Sequence, residues 1–182
     1  MREMTTNRLR IRAFALEDLD AYAGLLDAAF GRSEARGAYR DRLAYYELGE
    51  RVLAELHQPP YGDRAMVLRE TGQLVGAVGF VPSLGPFGQL PFFGRTADAR
   101  FTPEVGLFWA VLPEHRGRGL ASEAAAAMAR FAFDELHLRR VVATAEYDNA
   151  ASTGVMRRIG MTVQHNPWST PDWFQAVGIL EP

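Results

Sequence analysis

The sequence predicts a single α/β domain of the α+β kind over residues 1–182, with about six to seven strands and about four helices. Two observations carry this. The hydrophobic period switches repeatedly between two and about 3.6 residues along the chain. At 182 residues and 48% hydrophobic, the chain suits one sizeable core and is short for two ordinary domains.

Residues 8–14, "RLRIRAF", alternate apolar and basic side chains, the period of a half-buried strand. Leu19, Tyr22, Leu26 and Phe30 then follow at helical spacing. Glu17 and Asp18 suit a helix start, where negative charge meets the positive end of the helix dipole, although Ala15 is a poor cap. A second helix is expected over about 37–57, with Tyr45, Leu48, Val52 and Leu56 on its apolar face and "QPPYG" ending it. "RAMVLRETGQLVGAVGFV" reads as a hairpin with Gly72 in its turn.

Residues 82–103 are rich in Pro, Gly and Phe and longer than ordinary connections. They suit a packed lid, or a segment whose phenylalanines cover the core edge. "EVGLFWAVL" reads as an inner strand over 104–112, stopped by Pro113. Leu120, Ala124, Ala127, Met128 and Phe131 mark a helix to about Leu136. "RRVVATAEY" is another strand, "NAASTGVMRRIGM" a short helix closed by Gly160, and "WFQAVGIL" a last strand.

Composition removes whole classes of chemistry. There is no cysteine, hence no disulfide, thiolate metal site or cysteine nucleophile. Lysine is absent too, which excludes a P-loop lysine and a Schiff-base lysine. His57, His115, His137 and His165 fall at no metal-site spacing, so no metal is expected. A net charge of −2 gives no reason to expect nucleic acid or anionic membrane as a partner. With no signal-peptide core and no long apolar run, cytoplasmic residence is the expectation.

Between strand and helix lies "LPEHRGRGLASEA". Glycines let backbone N–H groups approach a ligand, a helix N-terminus gathers unpaired N–H groups, and arginines add positive charge. A phosphate or diphosphate is the natural guest. The pattern is neither G-x-G-x-x-G nor a Walker loop, and a tight packing turn explains two glycines equally well.

Arg116-Gly117-Arg118-Gly119-Leu120-Ala121 resembles the acyl-CoA diphosphate loop of the GNAT superfamily of N-acetyltransferases, with Arg116, Gly119 and Ala121 at the pattern positions. Asn149 and Ser152, followed by "RRIGM", resemble the family's second signature. "NRLRIRAFALEDLD" and "TGQLVGAVGFVP" are similar to the ribosomal-protein alanine N-acetyltransferase (Rim-type) branch. The resemblance implies a mixed, mostly antiparallel twisted sheet, splayed between the fourth and fifth strands. It also implies acetyl-CoA as cofactor, with Trp109, Ala110 and Val111 along the pantetheine arm and Arg116 to Ala121 around the diphosphate.

Acetyl transfer to a primary amine then proceeds by direct attack in a ternary complex, since no cysteine can carry the acyl group. Glu104, the carboxylate of the apolar strand, is the candidate base. Met156 stands where many relatives have a proton-donating tyrosine. By resemblance Ser152 takes the role of thiolate donor or sulfur anchor, Tyr147 is the alternative donor, and Asn149 binds the pantetheine amide. Asn149 and Ser152 also suit helix capping.

The acceptor side implied by the family brings in Tyr39, Phe87, Phe92, Phe93, Trp168 and Trp173. A protein N-terminus and a small molecule such as an aminoglycoside both remain open as acceptor, as does a non-catalytic acyl-CoA sensor. A monomer or a homodimer is expected.

Overall fold

The computed structural model describes residues 1–31 and 33–182. Its elements are β1 (Met4–Thr5), β2 (Leu9–Ala13), α1 (Leu19–Phe30), α2 (Arg36–Glu55), β3 (Gly62–Leu68), β4 (Leu74–Gly85), β5 (Thr102–Val111), α3 (Leu120–Asp134), β6 (Val141–Ala145), α4 (Ala150–Arg158), β7 (Thr162–His165) and β8 (Ala176–Leu180). The strands form one open mixed sheet in the order β1-β2-β3-β4-β5-β6-β8-β7. The β1–β2, β2–β3, β3–β4, β6–β8 and β7–β8 pairs are antiparallel and β5–β6 is parallel. The expected α+β class and four α-helices are therefore present among the described residues. Eight strands exceed the six to seven expected, because β1 and β7, with two and four residues, are too short to show a period.

The chain's contacts divide it into two compact units, residues 1–80 with 108–128, and residues 81–107 with 129–182. Each has its own core.

In the first unit, the alternation of β2 buries Leu9 and Ile11 completely. The strand pairs with β3 from Leu9↔Leu68 to Ala13↔Arg64. Gly72, at φ 72°, turns the β3–β4 hairpin as expected. The start of α1 is organised by Asp18 instead of by a capping side chain at Ala15. Asp18 Oδ2 accepts the Ala15 N–H at 2.9 Å, and its two carboxylate oxygens take NH1 and NH2 of Arg12 at 2.6 and 2.9 Å.

The Arg12 hydrogen bonds hold the Asp18 carboxyl below its usual range, against the opposing effect of partial burial. A group with a lowered folded pKa contributes stability above its unfolded pKa and loses it as pH falls through the folded one. Asp18→Asn is therefore expected to lower the melting temperature at neutral pH. The difference from the parent should shrink as pH drops below the ordinary carboxylate range, which thermal melts at several pH values will read.

Tyr22 of α1 is fully buried at the centre of this unit's core. Its ring meets Phe14, Tyr39 and Tyr46 edge-on at 4.7, 6.2 and 6.4 Å. Its hydroxyl donates to Asp63 Oδ2 at 3.0 Å. This aromatic cluster decides how α2 is rotated. The residues α2 buries are Tyr39, Leu43 and Gly49, whereas the row expected to be its inner face is outside: Tyr45, Leu48, Val52 and Leu56 are 59, 51, 36 and 61% exposed. The sequence period is right and the phase is wrong. Two tyrosines packing on Tyr22 outweigh four aliphatic and aromatic positions that stay largely exposed.

In the second unit, Phe87, Leu90, Val142, Phe174, Val177 and Ile179 form the core, with Phe93 packed against it. The strand expected over 104–112 runs Thr102–Val111, that over 139–147 is Val141–Ala145, and the last, expected over 173–180, begins only at Ala176. β6 meets β8 at five registers but meets β5 at one, Gly106↔Val142. Residues 86–93 make two short 3₁₀ turns after β4, and buried Phe87 makes this segment part of the core. Among the described residues no helix is long and apolar enough to cross a membrane.

Candidate active site

The glycine loop leaves β5 through a 3₁₀ turn at Pro113–His115 and enters α3 at Leu120. Gly117 and Gly119 both lie in the left-handed region, at φ 72° and 77°, which explains glycine at these positions. The first helix-type bond of α3 runs from Glu123 N–H to Gly119 C=O at 3.0 Å. The N–H groups of Gly119, Leu120 and Ala121 precede it and have no acceptor within the helix, so the loop presents donors at the positive end of α3.

The arginines of the motif are tethered. Arg116 Nε donates to Val111 C=O at 3.1 Å, and Arg118 NH1 lies 3.0 Å from His115 Nδ1. Both side chains sit on exposed residues, so their charge stays at the rim of the loop. Within β5, Trp109 is half-buried while Ala110 and Val111 are 7 and 8% exposed. The Val111 carbonyl is occupied by Arg116, and Leu112 N–H donates to Val75 C=O at 3.0 Å.

In the second unit, Glu104 is held by Arg140, whose Nε donates to both carboxylate oxygens at 3.0 Å. Arg140 in turn lies over the Phe93 ring, 4.8 Å from its centroid. Asn149 is the N-cap of α4: its Oδ1 accepts the Ser152 N–H at 2.9 Å. Capping uses the Asn149 oxygen and the Ser152 amide, and leaves Asn149 Nδ2 and the Ser152 hydroxyl for other partners. Tyr147 is 46% exposed, stacks on His165, and donates its hydroxyl to Asn166 C=O at 2.6 Å. Met156 is fully buried.

The aromatic residues expected on the acceptor side separate into two kinds. Tyr39 is 2% exposed, donates to Asp27 and accepts the Glu34 N–H, and Phe87 is 1% exposed. Both serve cores. Phe92 and Trp173 are 39 and 50% exposed, while Phe93 and Trp168 are half-buried.

Sequence reasoning missed the network behind the loop. Glu123, four residues past Gly119, accepts from Thr6 Oγ1 at 2.6 Å and from the Arg8 N–H and Nε at 2.7 Å each. Arg8 NH1 also donates to Arg118 C=O at 2.8 Å. The partners lie 110–117 residues apart in sequence, and no spacing rule connects them. Arg140 was missed for the same reason.

An open mixed sheet whose apolar strand feeds a glycine loop and an alanine-rich helix is the plan of the acetyltransferase (GNAT) domain. The model of that family matches residues 8–162, and the chain belongs to it. The chain is 29% identical over 159 residues to the uncharacterized N-acetyltransferase YnaD of Bacillus subtilis (strain 168), covering 87% of this chain and 81% of that protein. Its fold is similar to that of an acetyltransferase from Agrobacterium tumefaciens str. C58, at TM-score 0.73 and 24% identity over 100% of this chain and 95% of the other. The yncA protein of Salmonella typhimurium, solved with its cofactor acetyl-CoA, aligns at TM-score 0.58 and 21% identity over 96 and 94% of the two chains.

Proposed function

We propose that the whole chain, residues 1–182, acts as one acetyl-CoA-dependent N-acetyltransferase domain of the Rim-type branch, transferring acetyl to a primary amine, with a protein N-terminus as acceptor. The observation that carries the reading is the pair of left-handed glycines, Gly117 and Gly119, directly ahead of the N-terminus of α3. The Rim-type assignment is supported by "NRLRIRAFALEDLD" and "TGQLVGAVGFVP".

In this reading the amides of Arg116 to Ala121 receive the coenzyme's diphosphate and those of Trp109 to Val111 the pantetheine arm. A main-chain N–H near Ala110 stabilises the developing oxyanion. The acceptor nitrogen bonds to the acetyl carbon as the carbon–sulfur bond breaks, the amine proton passes to Glu104 through water, and the departing thiolate takes the Ser152 hydroxyl proton while Ser152 regains one from water, to which Glu104 later returns the amine proton. Tyr147, whose proton is committed to Asn166, becomes the donor only if that bond opens. Asn149 Nδ2 anchors the pantetheine amide. Phe92, Phe93, Trp168 and Trp173 provide apolar contacts for the acceptor.

Titration calorimetry with acetyl-CoA, followed by thiol release against N-terminal peptides and aminoglycosides, tests this. Binding with release on peptides is the expected result. Release on aminoglycosides alone moves the acceptor to a small molecule, binding without turnover on any amine makes the chain a sensor, and no binding removes the reading altogether.

A further inference from the structure

We propose that Arg8, contributed by the turn between β1 and β2, is a positioning residue for the diphosphate loop, setting the direction of the Gly119 N–H through the Arg118 carbonyl. The inference rests on residues 116–121 receiving a diphosphate, as argued above. The Arg118–Gly119 peptide turns about the Arg118 ψ and the Gly119 φ, and Gly119 sits at positive φ. Glycine accepts either sign of φ, so the loop's own backbone does little to stop this peptide plane from turning over.

Arg8 supplies the missing constraint. Its NH1 donates to Arg118 C=O at 2.8 Å. In a trans peptide the carbonyl and the following N–H point in opposite directions, so holding the Arg118 oxygen toward Arg8 aims the Gly119 N–H away from it. A flipped peptide would present an oxygen where the anion needs a donor, which loses one attraction and adds one repulsion.

The guanidinium is itself fixed. Its Nε donates to Glu123 Oε2 and the Arg8 N–H to Glu123 Oε1, both at 2.7 Å, with Thr6 Oγ1 on the same oxygen at 2.6 Å. The Glu123 backbone N–H anchors the next carbonyl, that of Gly119, at 3.0 Å. One residue of α3 therefore restrains both consecutive carbonyls of the loop, one directly and one through Arg8. Burial pushes the Glu123 carboxyl up, but the hydrogen bonds from Thr6 and Arg8 prevail and hold it below its usual range, so its charge persists. Arginine suits this task because its planar fork serves a carboxylate and a carbonyl together, whereas an ammonium is a single point of charge.

The test compares Arg8→Met, which keeps the apolar stem, with the parent. KM for acetyl-CoA is expected to rise about tenfold to a hundredfold, the worth of one hydrogen bond to a charged group, with kcat within about twofold. KM for S-acetyl-pantetheine, which carries no diphosphate, should not move. Equal rises for both thioesters, no rise for acetyl-CoA, or a fall in kcat at constant KM would overturn the proposal. Glu123→Gln, which keeps the oxygen for Thr6 but not the charge for Arg8, is expected to give a smaller rise, about threefold to tenfold. That variant decides the matter if Arg8→Met does not fold.

A ligand-free measurement separates this proposal from the function it rests on. In ¹H–¹⁵N spectra the Gly119 amide should shift and exchange faster with solvent in either variant. An unmoved Gly119 amide sinks the Arg8 assignment even in an active enzyme. A parent protein that never binds acetyl-CoA sinks the proposed function and leaves the amide comparison standing.

Discussion

Phe174→Ala is expected to lower the free energy of unfolding by about 3–5 kcal/mol, the range for removing a buried aromatic ring that its surroundings cannot refill. Phe174 is completely buried. It meets Phe87 edge-on at 5.2 Å and Trp173 at 5.7 Å, and it shares a core with Leu90, Val142, Val177 and Ile179. Collapse into the vacated space is restricted on two sides. Phe87 is the first residue of the 3₁₀ turn that follows β4, and the Phe174 backbone carbonyl accepts from buried Asn166 Nδ2 at 3.0 Å. Phe174→Leu, which keeps most of the volume, should cost less than half as much. Chemical denaturation of both variants checks this, and a loss under about 1 kcal/mol for alanine would show that the second unit repacks freely.

Gly119→Val is expected to weaken acetyl-CoA binding at least about a hundredfold while the chain still folds. A β-branched residue at φ 77° is a steric outlier, and such strain costs about 1–3 kcal/mol where the surroundings enforce it. A Cβ at this position would lie 3.5 Å from Arg8 NH2, an ordinary contact, so the strain is in the backbone. The loop relieves it by moving its backbone, which misdirects the N–H groups of Gly119, Leu120 and Ala121 together. The loss therefore exceeds that of any single side chain around the site. Calorimetric titration gives the affinity and a thermal melt reports the fold. Unchanged affinity in a folded variant would remove the diphosphate from this loop.

Much of this was legible in the sequence because it is local. The strand pattern of residues 8–14, the Gly72 hairpin, the start of α3 and the Asn149 cap each depend on residues within one or two turns of one another. The phase of α2 was not legible, since it is set by Tyr22 packing on Tyr39 and Tyr46, a choice made between helices. The candidate site divides the same way. The glycine loop was visible as a motif, but the Thr6–Arg8–Glu123 network and the Arg140 partner of Glu104 join residues distant in sequence. Tyr39 and Phe87 were aromatic residues near an expected pocket, and only burial shows that their rings serve cores.

In the proposed function, the Asn166 amide bears on how an acceptor would be selected. Its Nδ2 donates to Gln89 Oε1 at 2.8 Å, its Oδ1 accepts the Trp168 N–H at 3.1 Å, and Gln89 Nε2 reaches the carbonyls of Ala97 and Thr170, both at 3.1 Å. Swinging residues 86–93 outward would break these partly or wholly buried bonds and expose Phe87 to water at the same time. The segment after β4 is a standing wall and not a door. If it lines the acceptor as proposed, any discrimination it exerts is built in before the acceptor arrives, and selectivity there should respond to reshaping the wall and not to conditions that change loop mobility.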